Sequence, residues 1–201
     1  MLGVDLAWGE GRDGRPPNET GVVAVDAHGR VLDAGWTSGV DATADWMTAW
    51  AAGDAVAMVD APLLVRNPTG MRPCEREVGH RYGRWKVSAN CSNLGLEALA
   101  GVTLVGRLAA DGWRYDDGRG GPRQHGRHLY EVYPYTTLVG AAELGYAVAR
   151  PAYKRRPRHL VPHDFRVARA AVVDDLIERL VALRNTDPAL DLSTHPSPPR
   201  S

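Results

Sequence analysis

Ala55-Val56-Ala57-Met58-Val59-Asp60-Ala61-Pro62 is an apolar run closed by a carboxylate and a turn. Its aliphatic content and the Ala-Pro stop predict a buried strand over 55–60. A second run of the same kind opens the chain: Leu2-Gly3-Val4-Asp5-Leu6-Ala7-Trp8. A buried strand is an unfavourable place for a carboxylate, whose charge must be matched by a proton, a cation or a metal. A single aspartate there reads as a turn cap. Two of them, on strands that lie side by side, point to a divalent-metal site.

What separates the two runs decides whether they are neighbours. Residues 21–26 predict a second strand, His28-Gly29 a hairpin turn and residues 30–37 a third strand. Asp41 or Thr43 can cap a helix over 43–52, with Trp46, Met47 and Trp50 at helical spacing and Gly53 at its end. The order β-β-β-α-β is a three-stranded antiparallel meander followed by a crossover helix. It predicts an α/β fold with an RNase H-like mixed sheet, in which the first and fourth strands are adjacent and Asp5 and Asp60 stand at matching heights. Carboxylate oxygens suit hard cations, here Mg²⁺ or Mn²⁺. Such ions activate a water and stabilise the leaving oxygen in phosphodiester cleavage.

Residues 128–133 (His-Leu-Tyr-Glu-Val-Tyr) predict a fifth strand, stopped by Pro134. Alternation puts Leu129, Glu131 and Tyr133 on one face. If that face is buried, Glu131 joins Asp5 and Asp60 as a third ligand or a base; if it faces solvent, Glu131 is an ordinary strand residue. The remaining pattern predicts helices over 72–82, 94–111 (through Leu96, Leu99, Val102, Val105 and Leu108), 135–145 and from Asp164 to about Arg184, the last with a stripe of Phe165, Ala168, Val172, Leu176, Leu180 and Leu183. Residues 114–127 read as a polar, Gly-rich loop. The expected organisation is a single domain over 1–185 with an insertion at about 63–127, then a Pro-rich, poorly ordered tail over 186–201.

Phosphate recognition has several candidates. The insertion follows Asp60 directly and carries Asn67, Arg72 and Arg76, which in the functional reading contact substrate phosphate; in the structural reading Glu75 and Arg76 simply pair on a solvated helix. Thr20 lies in the first hairpin with the glycines of residues 9–21, where a phosphate can be cradled. Residues 150–163 form a basic connector (Arg150, Lys154, Arg155, Arg156, Arg158, His159, His163), and its stretch 154–158 is a second phosphate candidate, with Tyr146 and Tyr153 nearby. His125 and His128 share no helix face and do not read as a metal set. Cys74 and Cys91 form no C-x-x-C pair and read as small, buried, reduced residues.

Five motifs in order also resemble one family: Gly3-Val4-Asp5-Leu6-Ala7-Trp8, Asn18-x-Thr20-Gly21, Val59-Asp60-Ala61-Pro62-Leu63, Arg72-x-Cys74-Glu75 and Glu131-Val132-Tyr133-Pro134. They are similar to the predicted RNase H-like nuclease family, domain of unknown function 429, over about residues 2–185. The resemblance implies an RNase H-like core and a metal-dependent site at Asp5, Asp60 and Glu131. Family members of this kind continue into a further helix with an Asp in an Asp-Ala-like context, a last metal ligand; here the chain closes on Ser193-Thr194-His195-Pro196 and Ser-Pro-Pro-Arg-Ser. Without that helix one sheet face is expected to be open, to be covered by a second copy or another partner.

The bulk composition sets the outer bounds. The 201 residues are 44% hydrophobic and 24% charged, with 24 basic against 24 acidic side chains. Zero net charge gives no global electrostatic case for nucleic acid. No apolar run reaches membrane-spanning length and no basic-apolar leader precedes the first strand, so a cytoplasmic protein is expected. The leading expectation is a metal-dependent nuclease or phosphodiesterase acting on nucleic acid or another phosphodiester. A binding or scaffold protein with a degenerate site, and an ATP-dependent phosphotransferase of the actin and sugar-kinase type, are the alternatives.

Overall fold

The structure, a computed structural model, describes residues 1–9, 11, 16–121, 123–154, 161–186 and 189–192. Six strands form one sheet in the order β3-β2-β1-β4-β6-β5. β1 (Leu2–Asp5), β2 (Glu19–Val25) and β3 (Val31–Ser38) are antiparallel neighbours; β4 (Ala55–Val59) pairs parallel with β1, and β6 (Arg127–Glu131) parallel with both β4 and β5 (Trp113–Asp116). This α/β sheet, antiparallel on one side of β1 and parallel on the other, is consistent with the RNase H-like arrangement expected from the element order.

The alternation of each strand decides what the sheet buries. Leu2, Val4, Val22, Ala24, Ala57, Val59 and Leu129 all point to one face and are buried. α1 (Gly39–Trp50) covers them with Val40, Ala44 and Met47, and α3 (Ala100–Ala109) with Ala100, Leu104 and Leu108. Thr43 donates to the Gly39 carbonyl and shares a 2.7 Å hydrogen bond with Thr37, which fastens the first turn of α1 to β3. Gly101 is needed where α3 meets the turn after β4: a Cβ there would run into the Pro62 carbonyl. The opposite face is less covered. Leu32 and Trp36 of β3 are 50% and 71% exposed on that side.

Several elements differ from the sequence expectation: α1 starts at Gly39 with Ser38 as its N-cap, ahead of Asp41 and Thr43, and the helix expected over 135–145 ends at Gly140. Trp113–Asp116 is a strand, where residues 114–127 read as a loop; Trp113 is buried in the main core and alternates with exposed Arg114. α3 begins at Ala100, six residues later than expected, and its buried stripe is Ala100, Leu104 and Leu108, leaving Leu96 and Val102 exposed. α3 and β5 therefore belong to the core of the sheet domain although they lie within 63–127. α5 (Pro162–Ala182) has the expected extent, but none of its side chains is buried. It is tied down by Arg179, which donates to the Leu144 carbonyl, and by the Tyr146 hydroxyl, which donates to Asp175; Arg179 also donates to Asp175 within the helix. α2 (Pro73–Tyr82) and α4 (Pro134–Gly140) are the other α-helices among the described residues; Val87, Tyr135 and Val139 form a second small core with them. Cys74 and Cys91 are free and exposed, not buried. Among the described residues no helix is long and apolar enough to cross a membrane.

Candidate functional site

β1, β4 and β6 run parallel and end at the same edge, next to the boundary between the antiparallel and parallel halves of the sheet, a place where open α/β sheets form crevices. A recess of about 380 Å³ lies there, lined by Asp5, Asp60, Glu131, Arg72, Lys154, Trp8, Tyr133 and Tyr135 among others. All three expected carboxylates thus reach one recess. They do not converge on one point, and the pleat says why. Val4 is opposite Val59, and Val59 is opposite Glu131, so Glu131 continues the buried Val4–Val59 row. Asp5 and Asp60 come one residue later on their strands and point to the other side.

Asp5 and Asp60 share a cation. Lys154 Nζ lies 3.2 Å from Asp5 Oδ2 and 3.6 Å from Asp60 Oδ2. Burial raises the Asp60 pKa to about 6; Lys154 opposes the shift and the Asp5 carboxylate adds to it. Partial burial works against the Lys154 charge, but Asp5 and Asp60 outweigh it and hold its pKa above the usual lysine value. Behind it stand aromatic rings: Lys154 Nζ is 5.8 Å from the centroid of Tyr135, which also packs against Tyr153 and Arg150. The Tyr153 hydroxyl is pushed up by burial and by neighbouring Tyr135 and Asp5.

Glu131 has a different partner. Arg72 Nη2 donates to its Oε1 at 2.6 Å and Arg72 Nη1 to its Oε2 at 2.9 Å, a bidentate fork. The Leu63 backbone N–H also donates to Oε2. Arg72 Nε binds Glu75 Oε1, and Nη1 also reaches the Leu64 carbonyl. Glu75 is buried, which alone would favour its neutral form; its hydrogen bonds from Arg72 and from the Ser92 N–H reverse this and hold its pKa low. The expected metal ligand and the expected phosphate contact are therefore each other's partners. They clamp the segment after Asp60 to β6.

The other candidates lie outside the carboxylate pair. Asn67 Nδ2 donates to the Thr69, Gly70 and Ser92 carbonyls and shapes its own loop. Arg76 is exposed and donates to the Met71 carbonyl. Thr20 is buried, and its hydroxyl accepts from the Ala7 N–H at 3.0 Å, so it braces β1 against β2 where a phosphate cradle was expected. Arg155, Arg156, Arg158 and His159 of the basic connector lie outside the described residues, as do residues 187–188 and 193–201 of the tail. Lys154 is the residue whose role at the carboxylates the sequence pattern does not reveal: it reads as one cation in a basic run, and only the tertiary fold brings it across 149 positions to Asp5.

Two carboxylates around one cation suit a Mg²⁺ or Mn²⁺ ion that keeps several waters and takes further ligands from substrate phosphate. Among the described residues no group of three or more His, Cys, Asp or Glu side chains is placed to hold a metal, in keeping with the diversion of Glu131 to Arg72. No curated protein matches the chain, and no solved structure does. A family model described as "Protein of unknown function (DUF429)" matches residues 3–194. With nearly its whole length matched, from before Asp5 to beyond α5, the chain belongs to this DUF429 family of proteins of unknown function.

Proposed function

We propose that the protein is a divalent-metal-dependent phosphodiesterase or nuclease of RNase H-like type, with Asp5 and Asp60 as the metal ligands. The observation that carries this is the pair of carboxylates on adjacent parallel strands, already sharing one cation at 3.2 and 3.6 Å. A Mg²⁺ or Mn²⁺ ion held there supplies an activated water and stabilises charge on the leaving oxygen. Asp5 is the more open ligand, at 59% side-chain exposure against 17% for Asp60, and faces incoming substrate. Glu131 acts as a positioning residue: through Leu63 N–H and Arg72 it fixes the Asp60–Leu63 turn, and with it the direction of the Asp60 side chain. Trp8, Tyr133 and Tyr135 supply apolar walls for the organic part of the substrate.

The test is hydrolysis of a panel of RNA, DNA, hybrid and small phosphodiesters with Mg²⁺ or Mn²⁺. Cleavage is expected to need the metal and to be lost in Asp5→Asn together with Asp60→Asn; activity that survives both substitutions refutes the assignment. A second reading, a metal-free binding or scaffold protein, is favoured by the same Lys154 contacts, since an ammonium already balances the pair. It expects no effect of Mn²⁺ on melting temperature, whereas the hydrolase reading expects a rise that disappears in the double variant.

A further inference from the structure

We propose that Lys154 is an internal counter-ion that a divalent cation displaces, and that the displaced ammonium then contacts the substrate phosphate. The inference rests on the metal reading above. The two carboxylates stay neighbours, because the β1–β4 ladder fixes the spacing of their backbones: Val4 is opposite Val59, and Asp60 N–H donates to the Val4 carbonyl at 2.8 Å. The ammonium, in contrast, ends a flexible four-carbon side chain that is 43% exposed and does not belong to the sheet. Two like charges within a few ångströms of each other repel, so the lysine must yield when the metal enters.

Where it goes is also built in. The Tyr135 ring offers a cation–π face beside the carboxylates, held by its contacts to Tyr133, Tyr153 and Arg150. A shift of the ammonium along this wall keeps it at the rim of the same recess, which Tyr135 and Lys154 both line. The recess there offers a phosphate oxygen one cation beside the carboxylate pair. Lys154 thus has two opposed effects: it weakens metal binding and strengthens the interaction with substrate.

Removal of the charge separates them. Mn²⁺ binding is measured by isothermal titration calorimetry on the wild type, Lys154→Met and Lys154→Arg, with melting temperatures to confirm folding. Hydrolysis of thymidine 5′-monophosphate p-nitrophenyl ester is measured at saturating Mn²⁺. Lys154→Met is expected to bind Mn²⁺ about tenfold more tightly or better yet to lose kcat/KM by a similar factor, while Lys154→Arg, with its charge retained, keeps the weaker metal affinity. Unchanged or weaker Mn²⁺ binding in Lys154→Met overturns the displacement, and undiminished hydrolysis overturns the phosphate contact. Either result leaves metal-dependent cleavage by Asp5 and Asp60 standing. If neither the wild type nor Lys154→Met binds Mn²⁺, the metal reading itself falls and the inference with it.

Discussion

Asp60 is ionised at a price set by its surroundings. Its pKa is raised to about 6, first by burial, with Asp5 adding and Lys154 opposing. An acid whose folded pKa lies above its unfolded value of 3.8 holds more protons in the folded state between those two values. Its contribution to stability is therefore greatest at low pH and is lost as pH rises from about 4 to about 6. At pH 8 the penalty is at most about 3 kcal/mol, and about 1–2 kcal/mol after solvent screening. Asp60→Asn is expected to remove that slope and to raise the melting temperature at pH 8 but not at pH 4, as followed by calorimetry across the range. At this scale the sequence is informative about charge and poor about partners. The cost of burying Asp60 is legible in Val59-Asp60-Ala61-Pro62. That Lys154 meets it is not, because nothing local couples positions so far apart.

The elements explain the rest of the site. α2 begins at Pro73, directly after Arg72, and its first-turn Glu75 reaches back to the Arg72 N–H. This turn places one guanidinium between two carboxylates, Glu75 and Glu131, with Arg72 and Glu75 almost fully buried. Arg72→Met is expected to destabilise the protein by about 3–5 kcal/mol in urea denaturation, because it leaves both carboxylates unpaired. Adding Glu131→Gln should return part of that loss by removing one stranded charge. The strands β1 to β4 and the body of α1 are legible in the sequence because periodicity and turn residues agree there; the start of α1 at Gly39 is not, because Asp41 and Thr43 read as caps. β5 has only four residues between a helix and a Gly-rich loop, too short for alternation to stand out, although buried Trp113 opposite exposed Arg114 carries the signal. The start of α3 is missed because Leu96 and Leu99 extend an apparent helical stripe backwards across Gly95 into turns.

For the molecule as a whole, the sheet has one face packed by α1 and α3 and another on which Asp5, Gly21 and Trp36 lie in one row across three strands. Gly21 carries no side chain, and the Trp36 ring comes over it, toward Asp5. The fold class follows from element order alone, but the side of the sheet on which each carboxylate stands depends on counting residues from the buried ones. Leu2 and Val4 fix the count for Asp5; Ala57 and Val59 fix it for Asp60; Leu129 fixes it for Glu131. The same count amounts to a construction rule. The position that shares the Asp60 side is not 131 but the next one along, just past the end of β6: Val132, whose N–H donates to the Val59 carbonyl at 2.9 Å and which already lines the recess. Val132→Asp is expected to build a three-carboxylate cradle, seen as Mn²⁺ binding tighter than wild type by calorimetry. A third ligand, on this sheet, is a matter of odd or even.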